Sequence, residues 1–225
     1  MSNPDRAVSP SVLIVDDHEL FSASVEMTLC NRGIHAVRAH SLEPSAVLDQ
    51  ATQLQPSLIL LDLDLGRDAE GRPRDGVPLA RDLTRSGWQV LLVTGSTERE
   101  RIAEALAAGA AAWLSKSVPF DELIYTILDG FAGRPMMDAK ERQELIAEYR
   151  ALQAQQRATN QKLAQLTKRE RQVLDALVAG KRAKVIAEES YVSIATVRSQ
   201  IRSILAKLNV RSQLEAVALV KSLNR

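Results

Sequence analysis

The chain has 225 residues, 45% of them hydrophobic, with a single cysteine and 29 basic against 28 acidic side chains. That length suits two compact domains. A lone thiol excludes an intrachain disulfide and fits a reducing cytoplasm, no apolar run approaches the ~20 residues of a membrane span, and the opening residues 1–11 lack the apolar core of a secretory signal.

The near-neutral total hides an asymmetry. Residues 1–133 carry 11 Lys/Arg and 19 Asp/Glu, whereas residues 166–225 carry 12 and 5. The C-terminal part therefore suits an anionic partner, although a basic surface also serves solubility.

Through residue 133 the pattern alternates strand and helix. Residues 12–15 read as a first strand, followed by Asp16 and Asp17. Residues 19–30 form a helix with Leu20, Val25 and Leu29 on its apolar face, Cys30 beside them and Gly33 just past its end. A second strand covers 35–39, and a second helix runs 44–54 with Pro44 in its first turn.

Residues 58–61, Leu-Ile-Leu-Leu, are the strongest strand signal, an unbroken aliphatic run of the kind buried on both faces of a parallel sheet. Asp62 follows directly. Residues 65–75 then form an irregular loop holding Gly66, Gly71 and Pro73, either functional or a tolerated surface insertion. Helix 76–86, strand 90–93 ending at Thr94, helix 98–108, strand 111–114 followed by Ser115 and Lys116, and helix 119–131 complete five strand–helix units. Such an order implies an α/β doubly wound five-stranded parallel sheet.

In open sheets of that kind, ligands gather beyond the carboxyl ends of the strands. Asp16, Asp17, Asp62, Thr94 and Lys116 all fall at such ends. Any one carboxylate there would serve equally as a cap, but acids, a hydroxyl and an amine converging on one edge are harder to explain as caps. Three clustered carboxylates repel unless a cation intervenes. An oxygen-only set suits Mg²⁺, which leaves room for phosphate oxygens, and Lys116 adds a point charge for a phosphoryl group or for Asp62. The set suits phosphoryl transfer to Asp62. No Gly-rich nucleotide loop is present, so the phosphate is expected from a phosphodonor and not from bound ATP. His18 follows the acids but suits Mg²⁺ poorly and is read as a helix-start residue.

Residues 138–165 are polar, rich in Ala and Gln, and free of Gly and Pro, which predicts one long linker helix. Leu145, Tyr149, Leu152, Gln156, Thr159, Leu163 and Leu166 recur at alternating spacings of four and three. They form either a coiled-coil seam with a polar middle or a helix packed on its own chain.

The last sixty residues are helical by pattern. Thr167 to Glu170 is a capping box, and Val173, Leu174, Leu177 and Val178 follow on one face. A short helix covers 184–189. Ser193 caps the next helix, where Ile194, Val197, Ile201, Ile204, Leu205 and Leu208 form the buried stripe. Ser212 and Glu215 open a last helix with Leu214, Val217, Ala218 and Leu219 inward. A short helix, a turn and a longer helix in a basic segment make a helix-turn-helix pattern. Arg198, Ser199 and Arg202 lie off the stripe and suit base reading in the major groove. Lys168, Arg169, Lys181, Arg182 and Lys184 suit DNA phosphates. The alternative for Arg198 and Arg202 is an ordinary solvated face.

These residues carry a family resemblance. The first domain, residues 10–133, resembles a two-component receiver, on Val15-Asp16-Asp17-His18-Glu19-Leu20-Phe21, Leu61-Asp62, Asp75-Gly76, Val93-Thr94-Gly95 and Trp113-Leu114-Ser115-Lys116. The resemblance implies a flavodoxin-like fold with Asp62 as phosphoacceptor. It also implies Mg²⁺ held by Asp16, Asp17, Asp62 and the backbone carbonyl of Asp64, with Thr94, Trp113 and Lys116 sensing the phosphorylated state. Trp113 stands where the family usually has a Tyr or Phe, and Asp75-Gly76 arrives late, so the loop after Asp62 is longer than usual.

Residues 164–225 resemble the LuxR-type helix-turn-helix of the NarL/FixJ regulators, on Leu166-Thr167-Lys168-Arg169-Glu170, Ile186-Ala187, Val192-Ser193, Thr196-Val197-Arg198 and Lys207-Leu208. Gln200 and Arg182-Ala183 depart from the usual residues. Residues 134–163 form the linker between the two. The resemblance implies a cytoplasmic, non-enzymatic regulator that takes phosphate from a histidine kinase, pairs as a homodimer when active, binds DNA half-sites and addresses the transcription machinery. Two rivals stay open: a pseudo-receiver controlled by a ligand or partner without phosphorylation, and an aspartyl-nucleophile phosphatase suggested by the D-x-D form of Asp62-Leu63-Asp64.

Overall fold

The computed structural model describes residues 10–223. Residues 1–9, most of the stretch read above for a signal, and residues 224 and 225, the end of the expected DNA-binding domain, lie outside them. The chain divides into two compact units, one through Tyr149 and one from Arg150 on.

The first unit contains β1 (Ser11–Val15), α1 (Glu19–Asn31), β2 (His35–Arg38), α2 (Pro44–Leu54), β3 (Leu58–Leu61), β4 (Asp64–Arg67), β5 (Pro73–Asp75), α3 (Gly76–Arg85), β6 (Val90–Thr94), α4 (Arg99–Ala108), β7 (Ala112–Ser115) and α5 (Phe120–Phe131). Five strands form one parallel sheet in the order β2-β1-β3-β6-β7. Side chains alternate across it, as the two-residue period of a strand requires. Leu13, Val15, Ile59, Leu61 and Leu92 join a core with α2, α3 and α4. Val12, Ile14, Leu58, Leu60 and Leu91 join a second core with Val25 and Leu29 of α1 and Ile124 and Ile127 of α5. Helices on both faces explain why these strands read as unbroken aliphatic runs.

Three expectations change. Residues 65–75 are not one irregular loop: β4 and β5 pair as an antiparallel hairpin around the turn at 68–72. Alternation of short polar and apolar residues was too brief there to register as strand. Leu20 is exposed on α1, and Cys30 is exposed near the end of that helix, while Val25 and Leu29 turn inward as expected, with Ser22 beside them.

Residues 139–164 form one helix, α6 (Ala139–Ala164). Its first turns belong to the first unit, where Leu145 and Ile146 enter the core beside α4 and Arg142 donates to the carbonyls of Leu106 and Ala110. Two of the expected seam positions, Leu145 and Tyr149, are therefore spent on this unit's core, and two more, Leu163 and Leu166, pack in the core of the second unit.

The second unit holds the rest of α6 with α7 (Lys168–Val178), α8 (Ala183–Glu189), α9 (Ile194–Leu208) and α10 (Gln213–Leu223). Leu163, Leu174, Ile186, Val197, Ile204 and Leu208 fill its core. Thr167 makes the capping box with Glu170. Ser193 accepts the Thr196 N–H and caps α9. At α10 the pattern misleads: Ala216 and Val220 are buried, while Leu214 and Ala218 are exposed. Ser212 accepts the Glu215 N–H, but the Glu215 carboxylate reaches back to the Arg211 N–H, one residue earlier than a capping box would.

Candidate functional site

Parallel pairing brings the ends of β1, β3, β6 and β7 to one edge. Val15 stands beside Leu61, Leu61 beside Leu92, and Thr94 beside Ser115. The next residue out on three of these strands carries a charge: Asp16, Asp62 and Lys116. No local propensity sets this; the shared register does.

Asp62 is 2% exposed. Its Oδ2 accepts from Lys116 Nζ at 2.5 Å, and its Oδ1 accepts from the Asp64 N–H at 3.1 Å. Lys116 Nζ also donates to Asp16 at 2.8 Å and lies 5.1 Å from the Phe21 ring centroid, within cation–π range. Burial pushes the Asp16 carboxyl up, and the Lys116 hydrogen bond and the His18 N–H only partly offset it. For Lys116, burial is the largest influence and works against the charge, yet the hydrogen bonds to Asp16 and Asp62 outweigh it and hold its pKa above the usual lysine value.

Asp17 is more open, and the hairpin closes over it. Gly66 of β4 has a φ of +70°, and a Cβ there would come within 3.0 Å of Asp17 Oδ2. A side chain at that position would be strained and would crowd the carboxylate. Asp64 opens β4 with its carboxylate on Arg101 Nη1 at 2.7 Å.

His18 occupies the helix-start position expected for it, just ahead of α1. Its ring nevertheless enters the cluster, with Nδ1 2.8 Å from Asp17 Oδ1 and 3.1 Å from Lys116 Nζ. Its place directly after the two acids was the available signal. Ligand atoms of Asp16, Asp17, His18 and Asp62 all lie within 4.8 Å of one another.

Thr94 is fully buried, its hydroxyl accepting the Ser96 N–H, and its carbonyl accepts the Lys116 N–H at 2.9 Å. Trp113, two residues inside the end of β7, packs partly buried against the core that α4 covers. Its indole N–H is buried with no partner among the described residues.

In the second unit, Val197, Ile201, Ile204 and Leu208 turn inward from α9, which leaves Arg198, Ser199 and Arg202 exposed. Neither arginine has a side-chain partner among the described residues. Ile194, expected in the buried stripe, is instead 39% exposed at the first position of α9. It precedes Arg198 by four residues, and Arg202 follows at the same interval, so the three share one outer ridge. Lys168, Arg169, Lys181, Arg182 and Lys184 are exposed or nearly so. Lys181 is engaged by Glu189 at 2.6 Å, and Arg169 by Gln172 at 3.0 Å.

Glu170 anchors this unit. It is 6% exposed, and its carboxylate accepts from Lys207, Ser203 and the Thr167 N–H. Those donors, Lys207 first, hold its pKa down at about 2. Sequence reading saw only the capping box, because Ser203 and Lys207 lie more than thirty residues away.

Comparison with known proteins gives each unit a counterpart. Residues 12–128 match the response regulator receiver domain, and residues 164–220 match the bacterial regulatory proteins of the luxR family. The chain is 28% identical over 207 residues to the transcriptional regulatory protein LiaR of Bacillus subtilis, spanning 91% of this chain and 93% of that one. It is 27% identical over 221 residues to the nitrate/nitrite response regulator NarL of Escherichia coli K12, spanning 98% and 97%. Among solved structures, a complex of the two-component response regulator RcsB with DNA is similar at a TM-score of 0.50 and 19% identity, over 96% of this chain and 99% of that one. That similarity speaks for the fold.

Proposed function

The chain belongs to the two-component response regulators that join a receiver domain to a luxR-family DNA-binding domain, and on that premise we propose that Asp62 accepts a phosphoryl group from a histidine kinase and so controls DNA binding by α9. The observation that carries the reading is the meeting of Asp16, Asp62 and Lys116 within hydrogen-bond distance at the ends of three strands.

Asp62 attacks phosphorus through a carboxylate oxygen. A P–O bond forms while the P–N bond to the donor imidazole breaks. The electron pair stays on that nitrogen, and because the donor ring carries a proton on its other nitrogen it leaves as neutral imidazole. Little covalent chemistry is asked of the protein, so positioning and charge do most of the work. Lys116, shared between two carboxylates, offers its ammonium to a phosphoryl oxygen once Asp62 is an acyl phosphate. The Thr94 hydroxyl is the second donor to that group, and Trp113 follows the movement of Thr94.

Mg²⁺ fits the donor set, which offers carboxylate oxygens from Asp16, Asp17 and Asp62 close together, with the Asp64 carbonyl as a further oxygen. When bound it supplies charge neutralisation for phosphoryl oxygens and a fixed direction for them.

For output, Arg198 and Arg202 suit bidentate contacts to guanine, with Ser199 beside them and Ile194 able to contact a thymine methyl. Lys168, Arg169, Lys181, Arg182 and Lys184 suit phosphates, which position the domain without specifying sequence. Lys181 would exchange Glu189 for a phosphate. A homodimer formed on phosphorylation presents two α9 helices to half-sites about one DNA turn (~34 Å) apart, and from there engages the transcription machinery.

The test is labelling with radioactive acetyl phosphate, with and without Mg²⁺, followed by sizing and DNA binding. Mg²⁺-dependent label lost in Asp62→Asn, with dimer and DNA binding rising alongside it, is the expected result. Label retained in Asp62→Asn would refute the acceptor. DNA binding unchanged by labelling would refute the control.

A further inference from the structure

Arg101 of α4 lies outside every motif that marks the site, yet it grips the segment that leaves β3. Nη1 donates to Asp64 Oδ1 at 2.7 Å, while Nη2 donates to the Leu63 carbonyl at 2.6 Å and to Asp75 Oδ1 at 2.9 Å. The side chain is only 22% exposed. Asp75 meanwhile caps α3 by accepting the Val77 N–H, and the Leu63 carbonyl also takes the Gly76 N–H at 2.8 Å.

The Leu63 carbonyl and the Asp64 N–H are the two ends of one peptide group. That group is planar, so fixing the direction of its C=O fixes the direction of its N–H. The N–H end is the donor to Asp62 Oδ1. Lys116 holds the other carboxylate oxygen. One oxygen of Asp62 is thus oriented from β7 through Lys116, and the other from α4 through Arg101 and a single peptide plane.

We propose that Arg101 is a positioning residue for the Asp62 carboxylate, acting through the Leu63–Asp64 peptide, and that it ties the rotamer of Asp62 to the placement of α4. The proposal rests on Asp62 being the phosphoacceptor. A fork of five donors suits the task, since one guanidinium spans two carboxylates and a carbonyl, which an ammonium cannot do in the same geometry. The coupling runs both ways. Withdrawal of Arg101 with α4 leaves the Leu63 carbonyl to the Gly76 N–H alone, which loosens the peptide and weakens the Asp64 N–H bond to Asp62 Oδ1. Chemistry at Asp62 that breaks its bond to the Asp64 N–H loosens the peptide and is felt in α4. The extended hairpin enters the same device, because Asp64 and Asp75 open β4 and close β5 and stand opposite each other in its ladder.

The experiment uses the full chain with Arg101→Gln and Arg101→Lys, and with Arg99→Ala as a control, since Arg99 pairs with Glu148 and not with the hairpin. Two quantities are read: the rate of labelling by acetyl phosphate with Mg²⁺, and the NMR position and hydrogen exchange of the Asp64 amide. Arg101→Gln is expected to slow labelling roughly tenfold or more, and to move the Asp64 amide proton toward the position of an unbonded amide with faster exchange. Arg101→Lys should fall between it and the wild type, and Arg99→Ala should change neither. Labelling at the wild-type rate in Arg101→Gln overturns the proposal. So does slowed labelling with an unmoved Asp64 amide, because the route through the peptide is then absent. Should Arg101→Gln fail to fold, Arg101→Lys decides by the same two readings. If the wild-type chain takes no label, the phosphoacceptor reading falls, and the Asp64 amide still decides whether Arg101 orients Asp62.

Discussion

The Lys116 ammonium lies 2.5 Å from Asp62 Oδ2 and 2.8 Å from Asp16, so one cation serves two buried carboxylates on neighbouring strands. Its removal leaves two acids facing each other in a poorly hydrated edge. Lys116→Met should lose on the order of 2 kcal/mol of stability in Mg²⁺-free buffer at neutral pH. Added Mg²⁺ should then stabilise the variant more than the wild type, because a ligand that binds only the folded chain stabilises it in proportion to its affinity, and the acids are no longer shared. Urea unfolding with and without Mg²⁺ measures both gains, and equal gains would show that ammonium and metal do not compete for the same oxygens.

Gly76, at the start of α3, approaches the backbone of Asp62, the proposed phosphoacceptor. A Cβ there would overlap the Asp62 carbonyl oxygen and crowd Leu63 Cα. Both are backbone atoms and cannot swing away, so Gly76→Ala should cost about 1–3 kcal/mol and slow phosphate labelling by displacing Asp62. Gly95→Ala adds a Cβ that meets nothing within 4 Å and should stay within about 0.5 kcal/mol of wild type. Thermal or urea unfolding of the pair separates a steric effect from a general intolerance of alanine.

Glu170 sets an acid limit on the second unit. Its folded pKa is depressed from 4.5 to about 2. A depressed carboxylate contributes stability that is present above the unfolded value and is lost as pH falls through the folded one. The second unit should therefore lose stability between pH 4.5 and about 2, and Glu170→Gln should remove on the order of 2 kcal/mol at neutral pH while flattening that acid limb. Unfolding of this unit as a function of pH, wild type against variant, checks the sign. An unchanged acid limb in Glu170→Gln would assign it to other groups.

On the DNA side, Arg198 and Lys184 should behave differently although both are exposed cations. Arg198→Ala should cost about 1–3 kcal/mol on a selected site and relax preference at one base pair. Lys184→Ala should weaken selected and random DNA alike and lower the salt slope by about one. Titrations on both DNAs at several salt concentrations distinguish the two. Equal loss on random DNA for Arg198→Ala would make it a phosphate contact.

Much of this was legible beforehand in the unbroken aliphatic strands and in the caps. The run 58–61 is β3 to the residue, and the Thr167 box and the Ser193 cap form as their spacing implies. Acids and a lysine at strand ends pointed to one edge because parallel pairing puts equivalent ends side by side. The misreadings lie where a pattern is short or a helix has more apolar residues than its buried face can hold. The β4–β5 hairpin is three to four residues per strand, and Leu20, Ile194 and Leu214 sit at helix starts that the core does not reach.

By itself the sequence determined the alternation of strands and helices, the two-part organisation and the residue types available at the acidic edge, because those follow from local periodicity and capping chemistry. Only the tertiary structure decided that Lys116 bridges Asp16 and Asp62 from 100 and 54 residues away, that Arg101 holds the peptide beside Asp62, and that Ser203 and Lys207 close on Glu170. These contacts join residues with no spacing relation in the chain. They exist because strand register and helix packing bury the carboxylates of Asp16, Asp62 and Glu170 and bring partly exposed donors to satisfy them.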